Sequence, residues 1–268
     1  MRALFSYLCC FLLILPVSSA AQPVSMVQVM DQAVLTHRIA KSACLVLMGA
    51  EAQIHADDIE ASSTALDAGL ERLLATSAGE DRNQIKSLRD IGHTMSVSAK
   101  QVAAGDLHTV PAGLLLRFNP IVSDTLGDIA SGATVPAALH EMRPAYRAVH
   151  RMRAVSQQVQ RDLCLLETDL AWSGAAKVMT VHIVEFEQTI DDLMNGNPDK
   201  SIIKAPNIHI KVTLGKVASK WTTLAPILEQ AARGDPVDMR DIQLASVLGD
   251  AILRNLNDVA ARFDGLIE

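Results

Sequence analysis

The sequence predicts an all-α protein made of two tandem antiparallel four-helix bundles related by an internal repeat. Three observations carry this. Apolar residues recur at helical spacing through eight long stretches. Aromatic residues make up only 3% of the chain while Ala, Leu, Val, Ile and Met abound, which suits helices packed through aliphatic stripes better than a β-sandwich. The chain also repeats itself at an offset of 120 residues. Leu35-Thr36-His37-Arg38-Ile39-Ala40-Lys41-Ser42-Ala43-Cys44 is answered by Val155-Ser156-Gln157-Gln158-Val159-Gln160-Arg161-Asp162-Leu163-Cys164. Thr meets Ser, Ile meets Val, Lys meets Arg, and the cysteines share a register. Downstream, Leu66, Leu70 and Leu73 meet Phe186, Ile190 and Leu193, and Val97 meets Val217. So sustained an offset indicates duplicated modules.

The chain begins with Arg2, an apolar run from Leu8 to Leu15, the breaker Pro16 and the small residues Val17 to Ala21. That order is a secretory signal peptide, residues 1–21, cut after Ala20 or Ala21. The run is shorter than the roughly 20 apolar residues that a span needs, which argues against an uncleaved anchor. About 247 residues would remain in the mature chain, enough for two domains of ordinary size. The expected location is the periplasm, with no membrane span after cleavage. A net charge of -6 gives no electrostatic footprint for nucleic acid.

The first module, residues 22–134, holds four predicted helices. One runs from Val24 to about Gly49. A second, from about Ala50 to Thr76, places Ile54, Ile59, Leu66, Leu70 and Leu73 on its inner side. Ser77-Ala78-Gly79 turns the chain, and Glu80-Asp81 suit the positive end of a third helix that ends at Gly105. Pro111 opens a fourth, closed by Ser131-Gly132. The second module, residues 135–268, repeats the plan. Its first helix starts at Pro136 or Pro144 and reaches Trp172; the next covers about Ala175 to Met194, before the turn Asn195-Gly196-Asn197-Pro198. A third spans about Ile202 to Ala232, with Pro226 as a kink point, and a fourth carries Ile242, Val247, Ile252, Leu256, Val259 and Phe263.

Arg153, Gln157, Gln160 and Cys164 share one face of a helix, and their counterparts are Ala33, His37, Ala40 and Cys44. Such a face either lines a ligand cleft between paired first helices or is a solvated surface. Arginine's forked donors suit a planar anion, and Arg151 and His150 add positive charge nearby. Cys44 and Cys164 alone survive signal cleavage, and an exporting compartment permits a disulfide between them; the alternative is two buried thiols. His140-x-Met142 and His150-x-Met152 read as surface histidines and core methionines, because residues two apart on a helix point in opposed directions. No metal site and no cofactor are expected. Phosphate loops, nucleophile elbows and His-Glu-x-x-His are all missing, and the pairs Asp57-Asp58 and Asp191-Asp192 read as solvated faces, so no catalytic residue is assigned. Trp172 and Trp221 read as packing residues.

The run Leu35-Thr36-His37-Arg38-Ile39-Ala40-Lys41 resembles the "M-L-S-Q-R-M-A-K" segment of the type IV pili methyl-accepting chemotaxis transducer N-terminal domain, shared by PilJ-like receptors and NarX-like nitrate sensors. Glu185-Phe186-Glu187, Leu193 and Gly196, then Ile210, Leu214, Val217 and Trp221, are similar to the downstream part of that signature. The resemblance implies an extracytoplasmic four-helix ligand-sensing module, present here as two tandem copies. It also implies a first-helix arginine that holds an anion between subunits. Its two motif positions fall at Ala33 and Arg38 in the first copy and at Arg153 and Gln158 in the second. The expected site is thus drawn from Arg153, Gln157, Arg38, His37 and Arg151.

The expected function is a non-enzymatic periplasmic binding module for a small anion such as nitrate or nitrite, or a metabolite, that informs a membrane-bound receptor or sensor kinase. The alternative is a structural or interaction protein of the envelope without a small ligand. If the repeat encloses a homodimer's two-fold relation in one chain, the first helices face each other and Cys44 approaches Cys164. If the modules are strung end to end, each cysteine stays in its own bundle.

Overall fold

The computed structural model describes residues 24–106, 109–168 and 170–266; the expected signal peptide at 1–21 lies outside the described residues. The fold is all-α, with eight α-helices and no strand among the described residues. They are α1 (Met26–Leu47), α2 (Ala52–Thr76), α3 (Gly79–Ala103), α4 (Thr109–Gly132), α5 (Arg143–Leu166), α6 (Ala175–Asn195), α7 (Ile208–Ala232) and α8 (Met239–Asp264). No described helix is long and apolar enough to cross a membrane.

Local chemistry sets the helix ends. Asn207 and Asp238 accept from the backbone N–H groups of Ile210 and Asp241, at 2.9 and 2.8 Å, capping α7 and α8. Gly174 before α6 has φ 95°, a left-handed conformation that a side chain would strain. Glu80 and Asp81 lie in the first turn of α3 and Lys100 in its last, each complementing the helix dipole. α5 begins at Arg143 rather than Pro136, since the chain first makes a separate 3-10 turn at Ala137–Leu139. It ends at Leu166, leaving Trp172 beyond it, and α7 begins after Pro206 rather than at Ile202. α7 continues through Pro226, and α4 contains Pro120.

Helix packing is sequential within each run of four. α2 lies between α1 and α3, α3 between α2 and α4, and α4 returns to α1. α5 to α8 repeat that order, with α8 returning to α5. The joining seam is α1 against α5. Asp31 in the first half of α1 pairs with Arg153 at mid-length of α5, and Cys44 bonds Cys164 near the ends of both, so they run in the same direction. Because each is enclosed on several sides, α1 and α5 bury polar as well as apolar residues, as centrally placed helices must.

The aliphatic core runs unbroken across the seam, from Ile59, Leu66 and Leu70 through Ile39 and Val159 to Leu214 and Ile252. Phe186 stacks on Trp221 at 4.0 Å, which makes Trp221 a packing residue. Ile54 is a correction to the predicted stripe. It is 62% exposed because it stands five residues, or about 140°, from Ile59 around the helix, and buried His55 takes the inner position. Val97 is also exposed although its partner in the repeat, Val217, is buried.

Candidate functional site

The seam is chemically unlike an ordinary helix contact. Its lower end is a disulfide: Cys44 and Cys164 are bonded, with Cα atoms 6.1 Å apart. One turn above lie Lys41 and Arg161, the equivalent cations of the repeat, both buried. Each reaches into the last helix of the other run. Lys41 Nζ donates to Asp250 of α8 at 2.6 Å, while Arg161 donates to the side-chain oxygen of Asn119 on α4. The two flanks therefore carry matching cations with different partners.

Around Arg161 a buried polar network has formed. Its guanidinium donates to Asp162 Oδ1 at 2.9 and 2.5 Å and approaches His37 Nδ1 at 3.3 Å. Asn119 Nδ2 donates to the carbonyl of Thr36 at 2.8 Å, which orients the amide oxygen toward Arg161. His37 Nε2 lies 2.8 Å from Ser123 Oγ. A guanidinium only donates, so Nδ1 must accept and Nε2 must carry the proton. His37 therefore donates to Ser123 and cannot take its proton, which is the reverse of nucleophile activation. Burial, followed by the charge of Arg161, holds the His37 pKa well below the ordinary histidine value.

The residues expected to form an anion site do not converge. Arg38 forms a forked pair with Asp58 on α2, which also accepts from Ser42 at 2.6 Å. Arg151 forks onto Glu185 of α6 at 2.5 and 3.2 Å, and that hydrogen bond holds the Glu185 carboxyl below its ordinary pKa. Arg153 binds Asp31 at 2.8 Å, Asn257 at 2.6 Å and His150 Nδ1 at 2.8 Å. Gln157 is fully buried, and its amide has no hydrogen-bond partner among the described residues. The face from Arg153 to Cys164 is thus an interior one, not a solvated surface. His150 is likewise buried rather than a surface histidine, edge-on to Tyr146 at 4.6 Å, and its pKa is pushed down to about 3 by burial and by Arg153. Asp58 and Asp192 are engaged rather than solvated: Asp192 is buried and accepts from Asn197 and Lys200, both at 2.7 Å. The described residues contain no cluster of three or more His, Cys, Asp or Glu able to hold a metal.

Of the predicted set, His37 and Arg151 do meet. They line a cleft of about 410 Å³ on one flank of the seam, between α1 and α4 on one side and α5 and α6 on the other. Its floor is Met30, Ala33, Ala154 and Val155; its walls include Ser123, Asp124, Asp128, Gln158 and His182. A neighbouring hollow of about 290 Å³ shares His37, Ser123, Asp124 and Gln158, and ends at Trp172. The Arg161 guanidinium lies over the Trp172 ring at 5.7 Å, and that indole is 41% exposed, so it is not a core packing residue. The volume falls in the range of small-molecule sites.

Sequence reasoning missed Ser123, Asp124, Asp128, Asp162 and His182. The equivalence of Lys41 and Arg161 in the repeat was the available signal for Arg161. The carboxylates of α4 gave only their four-residue spacing. No protein-family model, curated protein or solved structure matches this chain.

Proposed function

We propose that the chain is a non-enzymatic periplasmic ligand-binding module of the sensor-domain type, built as two tandem four-helix bundles, residues 22–134 and 135–268. A small molecule held between the halves passes its presence to a membrane-bound receptor or sensor kinase. The cleft across the α1–α5 seam carries this reading. One wall comes from α1 and α4 and the other from α5 and α6, so an occupant contacts both copies of the repeat at once. Any difference in its contacts between two seam arrangements shifts the balance between them, which is all a sensor requires. The resemblance of the first-helix segment to chemotaxis-transducer and nitrate-sensor domains supports the same reading.

The test is a thermal-shift screen of the mature chain with oxyanions, amino acids and amines. A ligand at a hundred times its Kd adds about 2.7 kcal/mol. Gly127 lines the cleft, and a Cβ built there meets nothing within 4 Å. Gly127→Trp should therefore fold normally, fill the cleft and abolish ligand-induced stabilisation. A ligand that stabilises parent and variant equally places binding elsewhere. The docking-only alternative draws on the exposed valines of α6, Val178, Val181 and Val184; a screen without any stabilising ligand, together with capture of an envelope partner, would favour it.

A further inference from the structure

We propose that the cleft takes a small neutral molecule with a carboxamide group, whose N–H is read by His182 and whose carbonyl oxygen is read by Ser123. The proposal rests on the cleft being the ligand site. It follows from where two imidazole protons sit. Asp162 is fully buried, and Arg161 uses only its Oδ1. Its Oδ2 has no hydrogen bond and faces Nδ1 of His182 at 3.6 Å. A bare Nδ1 would set its lone pair against those of a carboxylate, so the neutral ring carries its proton on that nitrogen. Nδ1 is out of solvent, while the ring lines the cleft with 12% of the side chain exposed. The edge left for the cleft is the one that carries Nε2, and this nitrogen is then an acceptor.

His37 holds the opposite tautomer. Its Nδ1 accepts from Arg161, so its Nε2–H donates to Ser123 Oγ. The Ser123 hydroxyl keeps its own proton, which has no acceptor among the described residues, and it lines the same cleft. The wall from α4 thus offers a donor and the wall from α6 an acceptor. His182 follows burial and Arg161 among the influences that lower the His37 pKa, so the two rings lie within electrostatic reach of each other. Charged occupants suit these walls less well. Arg151, which lines the cleft, is forked onto Glu185, so an anion meets the bare Nε2 with no free guanidinium to hold it. A cation satisfies His182 but leaves the Ser123 proton without an acceptor. Asp124 and Asp128 are exposed, and water and salt screen their pull on it. A carboxamide brings both partners on one planar group, and its hydrocarbon rests on the apolar floor of Met30, Ala33, Ala154 and Val155.

Titration of the full mature chain with propionamide, propionate and propylamine at pH 8, followed through the imidazole nitrogen-15 resonances, tests this. His37→Gln and His182→Gln assign the two rings. Before any ligand is added, His182 should carry its proton on Nδ1 and His37 on Nε2. Propionamide should then move the His182 Nε2 resonance saturably. Propionate and propylamine keep the carbon frame but lack the donor or the acceptor, and should bind at least about tenfold more weakly. Ser123→Ala should lower the affinity for propionamide about tenfold, as loss of one hydrogen bond does, while the His182 tautomer is kept. A His182 ring protonated at Nε2 overturns the proposal. So does propionamide binding indifferent to Ser123→Ala, or equal or tighter binding of propionate or propylamine. Failure of propionamide to bind, where another ligand of the wider screen is excluded by Gly127→Trp, overturns it while the cleft stands as a ligand site. If nothing in the series or the wider screen binds, the cleft reading falls with it.

Discussion

The two flanks of the α1–α5 seam begin from equivalent residues and end differently. On one, Lys41 meets a carboxylate, Asp250, and the packing closes over it: the lysine is fully buried and Asp250 is 32% exposed. On the other, Arg161 meets a neutral amide, Asn119, takes its countercharge from Asp162 beside it in sequence, and a cleft remains next to the network. Where the cross-seam contact carries the whole countercharge it acts as a clamp. Where the countercharge is local, the opposing helix is left with unpaired groups that face solvent. Residues at corresponding positions of α1 and α5 thus end in a closed contact on one flank and beside an open cleft on the other.

Cutting the seam itself should have the largest effect. The disulfide closes a loop of 120 residues, and a loop of that length contributes about 5 kcal/mol through restriction of the unfolded chain. Cys44→Ser with Cys164→Ser should lower the melting temperature by on the order of 10 °C. If the clamp on the Lys41 flank holds, hydrogen exchange in the variant should rise more in α4 and α6 than in α2 and α8. An equal rise on both flanks would remove the asymmetry from the argument.

A smaller effect separates the flanks directly. Asp250→Ala strands a buried ammonium and should cost about 3 kcal/mol in urea unfolding, near the low end for a broken buried pair because Asp250 is partly exposed. Asn119→Ala removes a neutral acceptor from a guanidinium that keeps Asp162, together with a donor to the Thr36 carbonyl, and should cost about 2 kcal/mol. Equal costs would mean that the difference in countercharge has no energetic weight.

Much of this frame can be read from the chain. The helical stripes, the repeat register and the level of the two cysteines are local or one-dimensional properties. The site is neither. Asp124 and His182 sit on α4 and α6, ordinary amphipathic helices in isolation; Asp124 comes beside His37 because α4 packs on α1, and His182 because α5, which carries α6, lies along α1. The arginines were visible as cations but not as paired ones. Asp31 and Glu185 lie on other helices, 122 and 34 residues from Arg153 and Arg151, and no spacing rule links them. The spacing predicts a helix as far as Trp172, but α5 ends six residues earlier, which leaves the indole beside Arg161 rather than in the core.

The smallest effect concerns acid. His37 on the cleft flank and His150 beside Arg153 are both held neutral by burial and then by an adjacent arginine, with pKa values below the ordinary 6.5. Once unfolded, each regains its ordinary affinity for a proton. Below pH 6.5 the unfolded chain therefore binds more protons than the folded one, and stability falls as pH falls toward the lowered folded values. Above pH 6.5 both states are neutral at these positions and the effect is absent. Each histidine contributes a slope of at most about 1.4 kcal/mol per pH unit. Urea unfolding between pH 6.5 and 5, above the range in which most carboxylates titrate, should show the loss. His37→Gln keeps an acceptor for Arg161 and a donor for Ser123, matches the residue that the repeat already places at Gln157, and cannot be protonated in this range. Burial, followed by the charge of Lys41, also holds the His55 pKa below its ordinary value, so the variant should remove about a third of the slope while changing stability at pH 7.5 little. An unchanged slope in the variant would mean that His37 already takes up a proton in the folded state, and the fixed tautomer that bars it from activating Ser123 would have to be abandoned.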